Sequence, residues 1–295
     1  QEKAGAQATN RLRVGLALGV FGLGDQSFND MQYSGLVQAH ASLPISACFR
    51  VPASNDEKDL ESLFLKLIRD DRCRLIIVAE AYAMGGVVTR LARSHPDVFF
   101  VLMESAAVAL SNVAATEFAQ NEGSYLAGML AGRVSKSGRI GFIGGVDILP
   151  VKDFLVGFEA GVRRVRPAAR VESSFVSLVP DFSGFSDPKK GHAMATAQYA
   201  SGVDVIYAVA GGTGIGIIQA AGDSKKFAIG VDSNQDHLAP GHVLTSMMKR
   251  ADVAVTNVIG LHLAGKLRGG RVYRFDSGNY GVGLTDFEYT TDTVT

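Results

Sequence analysis

The stretch Asp25-Gln26-Ser27-Phe28-Asn29-Asp30 surrounds one aromatic ring with carboxylates, amides and a hydroxyl, just after an apolar run ending at Val20. A ring face stacks on a flat heterocycle for about 1–3 kcal/mol. A hydroxyl bonded to a charged carboxylate adds about 1.5–3 kcal/mol. The residues thus suit a planar small molecule bearing hydroxyls. They also have plainer roles: Ser27 or Asn29 can cap the following helix, and Phe28 can be core.

Similar groups recur in other turns. Met103-Glu104-Ser105 follows one apolar run, and Pro180-Asp181-Phe182-Ser183-Gly184-Phe185-Ser186-Asp187 follows another. Two more runs end in Ala210-Gly211-Gly212-Thr213-Gly214 and Asp232-Ser233-Asn234-Gln235-Asp236. Here too Phe185 can be core, and Asp187 before Pro188 can cap a helix. Asp232 lies 20 residues beyond Gly212, as a ribose-binding acid would, but Ile217 and Ile218 stand where a dinucleotide fingerprint needs its third glycine. No Gly-Lys-Ser/Thr loop follows, no Gly-x-Ser-x-Gly elbow occurs, and the six histidines lack metal-ligand spacing. Asp25 with Asp30 lacks the further ligands a metal site requires. The pattern is that of a binding protein without catalytic apparatus, so no metal and no catalytic cofactor are expected.

Composition agrees with that class. The 295 residues are 47% hydrophobic and 20% charged, enough for two lobes with separate cores. Twenty-nine basic residues balance 29 acidic ones, which leaves no field to attract a nucleic acid. Apolar runs fall well short of the roughly 20 residues that span a bilayer, so a soluble chain is expected. Residues 1–10, without a packing pattern, resemble the remnant left by a cleaved export signal. Cys48 and Cys73 are expected to be small buried hydrophobes in preference to a disulfide.

The elements that must position these turns alternate along the chain. Strands are expected at 13–20, 45–51, 74–79, 98–102, 139–143, 171–176, 203–208, 227–231 and 243–248. Helices are expected at 27–41, 57–70, 84–94, 121–135, 151–165, 188–201, 214–221 and 251–267. Such alternation gives an α/β fold with two parallel sheets covered by helices. Right-handed crossovers then bring the β-to-α turns to one rim of each sheet, where such sheets bind ligands.

Ordered blocks between about residues 13 and 284 carry a resemblance. They include Asp25-Gln26-Ser27-Phe28-Asn29, Phe118-Ala119-Gln120-Asn121-Glu122-Gly123, Phe185-Ser186-Asp187-Pro188, Ile229-Gly230-Val231-Asp232 and Leu244-Thr245-Ser246-Met247-Met248-Lys249. The chain resembles the basic-membrane-protein family of substrate-binding lipoproteins, whose best-known member is a purine-nucleoside receptor. The resemblance implies a type I periplasmic-binding fold with two Rossmann-like lobes joined by crossover segments. The lobes are expected at 11–118 with 249–275 and at 119–248 with 276–295. It further implies a monomer delivering a small molecule to an ABC permease, outside the cytoplasm in the periplasm, with an amino-terminal lipid anchor upstream of Gln1.

Carried over residue by residue, the family pattern makes Phe28 and Phe185 the rings that stack on opposite faces of the ligand. Asp232 and Lys249 would bind its hydroxyls. Asp25, Asn29, Glu104, Gln120, Asn121, Phe182 and Gly211 complete the candidate ligand contacts, with Phe28 and Glu104 expected on the amino-terminal lobe. Two departures bear on the ligand. The first strand runs into Gly19-Val20-Phe21 with no acid before Asp25, where the nucleoside receptor has an aspartate, and the acid after the fourth strand is the longer Glu104. A less polar rim favours a larger ring, and the chain also resembles riboflavin-uptake members of the family. Riboflavin is therefore the expected transported ligand, with a purine nucleoside as the alternative and a nucleoside hydrolase or flavin-dependent enzyme on a similar two-lobe fold ranked below both.

Overall fold

The structure, a computed structural model, describes residues 11–294; the expected leader remnant at 1–10 lies outside them. Contacts divide the chain into two units.

The first unit holds residues up to Leu23, Gln32–Glu117 and Ala251–Arg274. Its sheet contains β1 (Leu12–Ala17), β2 (Ile45–Arg50), β3 (Leu75–Val78), β4 (Phe99–Leu102), β5 (Val113–Phe118) and, late in the chain, β11 (Val272–Phe275). Their order is β11-β5-β4-β3-β1-β2, with β2 to β5 running parallel through β1, β3 and β4. The helices are α1 (Phe28–Ser42), α2 (Glu57–Arg69), α3 (Ala81–Ser94) and α8 (Ala251–Leu263). Every residue of β3 is fully buried, as expected of a parallel strand covered on both faces. Leu63, Phe64 and Leu67 of α2 pack with Met84 and Val88 of α3 over Ile76, Val78 and Phe100.

The second unit holds Gly24–Met31, Phe118–Arg250 and the chain from Phe275 onward. Its strands are β6 (Arg139–Val146), β7 (Arg170–Ser177), β8 (Val205–Val209), β9 (Phe227–Asp232), β10 (Val243–Lys249) and β12 (Val282–Leu284). They lie in the order β12-β10-β9-β8-β6-β7, parallel except for β12 against β10. Helices α4 (Gln120–Val134), α5 (Leu149–Val165), α6 (Pro188–Ala200) and α7 (Thr213–Asp223) complete it. Alternation along β6 and β8 separates two cores. Phe142 and Tyr207 meet Phe158 of α5, whereas Ile143, Ile206 and Ala208 pack with Ala195 of α6 and Ile217 of α7.

Two parallel-rich α/β units are what the alternation implied. The expected strands and helices recur with boundary shifts of a few residues, while β5, β11 and β12 add to them. Grouping by contact differs from the expected lobes at places important below: Gly24–Met31 with Phe28, Phe118, Lys249 and Phe275 all belong with the second unit.

Close helix packing in that unit depends on glycines. A Cβ on Gly161 of α5 would run into the Tyr125 carbonyl of α4, and one on Gly157 into that of Asn121. By contrast, nothing lies within 4 Å of a Cβ built on Gly260 of α8. We expect Gly161→Ala to lower unfolding free energy by about 1–3 kcal/mol through overpacking. Gly260→Ala should raise it by about 0.5–1 kcal/mol through helix propensity. Urea denaturation of both variants checks the pair, and a Gly161→Ala protein as stable as Gly260→Ala would contradict the packing account.

Candidate functional site

In the second unit, the parallel strands β6, β8, β9 and β10 end on a shared rim, and their register sets which side chains meet there. Met248 of β10 pairs with Asp232 of β9, so Lys249 lies one residue beyond Asp232 on the adjacent strand. Both are buried, at 3% and 6% exposure. A buried carboxylate needs donors. One is Ser27, whose hydroxyl donates a short hydrogen bond to Asp232 Oδ2 across 205 residues of sequence. The carbonyl of Gln26 also accepts from Ser233 Oγ at 2.5 Å and Gln235 Nε2 at 2.9 Å. These bonds fasten the turn before α1 to the end of β9.

Fastening Ser27 there fixes Phe28, whose ring centroid lies 4.3 Å from Lys249 Nζ. Phe118 and Phe154 stand at 5.1 and 5.4 Å from the same ammonium. Cation–π attraction over a desolvated ring is worth up to about 2 kcal/mol, so three rings can hold a buried lysine in one place. Deeper support comes from Phe275, stacked on Phe118 at 5.4 Å, and from Tyr207, edge-on to Phe154 at 6.4 Å. Burial pushes the Tyr207 phenol well above its usual pKa, and it remains a hydrogen-bonding group, 3.1 Å from Ser124 Oγ.

The carboxylates of the opening turn build that turn. Asp25 Oδ1 accepts from the backbone N–H of Ser27 and Asp30, and Oδ2 from the backbone and side-chain N–H of Asn29, all at 2.9–3.1 Å. Asp30 accepts from Gly24 and Gln26 at 2.8 and 2.9 Å. Hence Asp25 caps α1, where the sequence offered Ser27 or Asn29; Ser27 is instead committed to Asp232. Burial raises the Asp25 pKa, and the backbone N–H groups of Asn29, Ser27 and Asp30 pull it back.

Other candidates take distinct positions. The Phe185 ring lies against Gly145, whose Cβ would collide with it, and the Phe185 side chain approaches Gly211, held at φ 55°. Phe182, half-buried, precedes the 3-10 turn Ser183–Phe185. Asp187 caps α6 by accepting from Lys190 N at 2.9 Å. Gln120 is buried at the start of α4, but Asn121 is exposed and its backbone carbonyl packs against Gly157. Glu104 belongs to the first unit, half-buried after β4, with φ at 58° and its N–H 3.3 Å from Thr116 Oγ1. Gln26 and Asp232 share that left-handed backbone, at 48° and 67°; such strain in residues other than glycine collects at functional turns.

Three residues were missed. Phe118 stood inside a quoted motif without being weighed, and Phe154 sits in a helix where aromatics usually mean core. The third is Glu80, at the end of β3 in the first unit. Its carboxylate fills the space that Gly19 leaves by lacking a side chain, and it is only 6% exposed. The end of β1 therefore has an acid beside it after all, delivered from another strand. The apolar run through Phe21 is only part of that rim, with Phe21 and Leu23 each 38% exposed.

Among the described residues no three His, Cys, Asp or Glu side chains gather as metal ligands, and no helix is long and apolar enough to cross a membrane. Asp25→Ala should leave the N–H groups of Ser27, Asn29 and Asp30 without their acceptor and cost about 1–3 kcal/mol. Denaturation with amide exchange at Asn29 and Asp30 checks this; unchanged exchange there would contradict the capping role.

Comparison with known proteins agrees with the architecture. The family model of Bmp, the PnrA-like ABC transporter substrate-binding proteins, matches residues 17–294. A nucleoside-binding protein BmpA of an ABC transporter in Lactococcus lactis is 28% identical, over 92% of this chain and 81% of its own. A CD4+ T-cell-stimulating antigen of Listeria monocytogenes is 29% identical, over 90% of this chain and 78% of its own. Among solved structures, an ABC transporter solute-binding protein from Aeropyrum pernix superposes with a TM-score of 0.84 at 28% identity, covering 94% of this chain and 77% of that one. With its two parallel-rich units in the type I periplasmic-binding fold, this chain belongs to the PnrA-like Bmp family of ABC transporter substrate-binding proteins.

Proposed function

We propose that this substrate-binding component of an ABC transporter captures riboflavin, using the rim of the second unit to hold the isoalloxazine ring and the ribityl chain. The observation that carries the reading is the buried Lys249 ringed by Phe28, Phe118 and Phe154 beside Asp232. Aromatic faces and a fixed pair of opposite charges suit a flat ring followed by hydroxyls. Phe182 and Phe185, both half-buried, add aromatic surface to the same unit. The chain acts by binding and handing on its ligand to a permease, as a monomer outside the cytoplasm, held to the membrane by an amino-terminal lipid.

A purine nucleoside is the second reading, and two observations favour it. The Lactococcus relative is named for nucleoside binding, and Glu80 returns a carboxylate to the end of β1, which weakens the case from an acid-free strand. In either reading Asp232 and Lys249 address hydroxyls.

Calorimetric titration with riboflavin, lumiflavin and inosine tests the assignment. Riboflavin should bind most tightly, and lumiflavin, which lacks the ribityl chain, more weakly. Tighter binding of inosine would overturn riboflavin in favour of the nucleoside. Phe28→Ala should weaken riboflavin binding by about 1–3 kcal/mol, roughly 5- to 150-fold; unchanged affinity would remove Phe28 from the ring site. Asp232→Ala should weaken both ligands, because Ser27 and with it Phe28 lose their anchor, and riboflavin more than lumiflavin; equal losses for the two would contradict its role toward the chain of hydroxyls.

A further inference from the structure

Outside the ligand rim, the two cysteines of the first unit meet. Cys48 lies in β2, the edge strand of its sheet, and stands in register with Gly15 of β1. Cys73 lies just before β3, on the other side of β1, with its N–H donated to the Leu67 carbonyl at the end of α2 at 2.9 Å. A side chain at position 15 would separate the two, since its Cβ would come 2.9 Å from Cys73 Sγ. Glycine there leaves the gap open, and the sulfurs approach across it to 3.5 Å. Cys48 is half-buried, whereas Cys73 is fully buried. Two thiols so placed are not a metal site, because no third ligand joins them among the described residues.

We propose that Cys48 and Cys73 form a reversible intramolecular disulfide, with the accessible Cys48 exchanging first and the buried Cys73 resolving. The oxidant is a small disulfide such as oxidised glutathione. Cys48 thiolate attacks one sulfur of the oxidant, the sulfur–sulfur bond breaks, and one glutathione leaves as a thiol carrying the Cys48 proton. Cys73 then loses its proton and attacks the Cys48 sulfur, expelling the second glutathione thiol. Two protein thiols are oxidised, one glutathione disulfide is reduced to two thiols, and both protons end on glutathione. Closure takes the sulfurs from 3.5 Å to about 2.05 Å.

The local chemistry agrees with that order. The hydrogen bond with Cys73 holds the Cys48 thiol below its usual pKa, and the same bond, together with burial, pushes Cys73 up. The thiolate that attacks is therefore formed on the side that solvent reaches. The bond would close a loop carrying α2, and the inference stands apart from the ligand reading.

Native wild-type protein equilibrated with oxidised glutathione, quenched in acid, alkylated and mapped by peptide mass spectrometry tests this. The expected result is concerted loss of both thiols, a peptide linking Cys48 to Cys73 within one chain, and recovery of both thiols with dithiothreitol. In the native Cys73→Ser protein, Cys48 should retain one glutathione; in native Cys48→Ser, Cys73 should stay unmodified. A stable glutathione adduct on wild-type Cys48 with no linked peptide, two thiols that survive oxidation, or links only between chains would overturn the proposal. Modification of Cys73 in the Cys48→Ser protein would overturn the assigned order.

Discussion

Burying a carboxylate costs several kcal/mol unless donors reach it, and the site of the second unit depends on how Asp232 meets that demand. Ser27 supplies a hydroxyl from the far end of the sequence. Once Ser27 is held, the turn around it cannot wander: Gln26 is pinned to Ser233 and Gln235, and Phe28 is set over Lys249. The hydrogen-bonding capacity crowded around Phe28 thus has two uses. Asp25 and Asp30 shape the turn, and Ser27 moors it.

Lys249 poses the complementary problem. An ammonium at 3% exposure must be compensated by its surroundings, and the faces of Phe28, Phe118 and Phe154 contribute to that compensation. Rings that stabilise a cation by their faces are also surfaces on which a heterocycle can lie. Contacts of Phe275 with Phe118 and of Tyr207 with Phe154 limit how far those two rings can turn.

Much of this was legible in the sequence, for definite reasons. Parallel strands buried on both faces are uniformly apolar, so runs such as Leu75–Val78 announce themselves, and the turns after them locate the rim. β5 escaped notice because Val113-Ala114-Ala115-Thr116-Glu117 lacks that uniformity, and β11 and β12 because they are short and joined to their sheets from late in the chain. At the site, Phe28 and Asp232 could be singled out by type and position. That Ser27 binds Asp232 and that Glu80 lies beside Gly19 could not, because those contacts join residues through tertiary packing that no local pattern encodes. Asp25 illustrates the reverse case: its carboxylate looked available to a ligand, and the backbone amides of its own turn took it first.

The most direct measurement is of whatever the purified protein carries. Absorbance and fluorescence spectra of the native protein, followed by release in denaturant and mass spectrometry, identify the molecule held on the rim. The account predicts a yellow protein with quenched flavin emission that releases riboflavin. A colourless protein releasing inosine, guanosine or adenosine would contradict it and replace riboflavin by a purine nucleoside as the ligand.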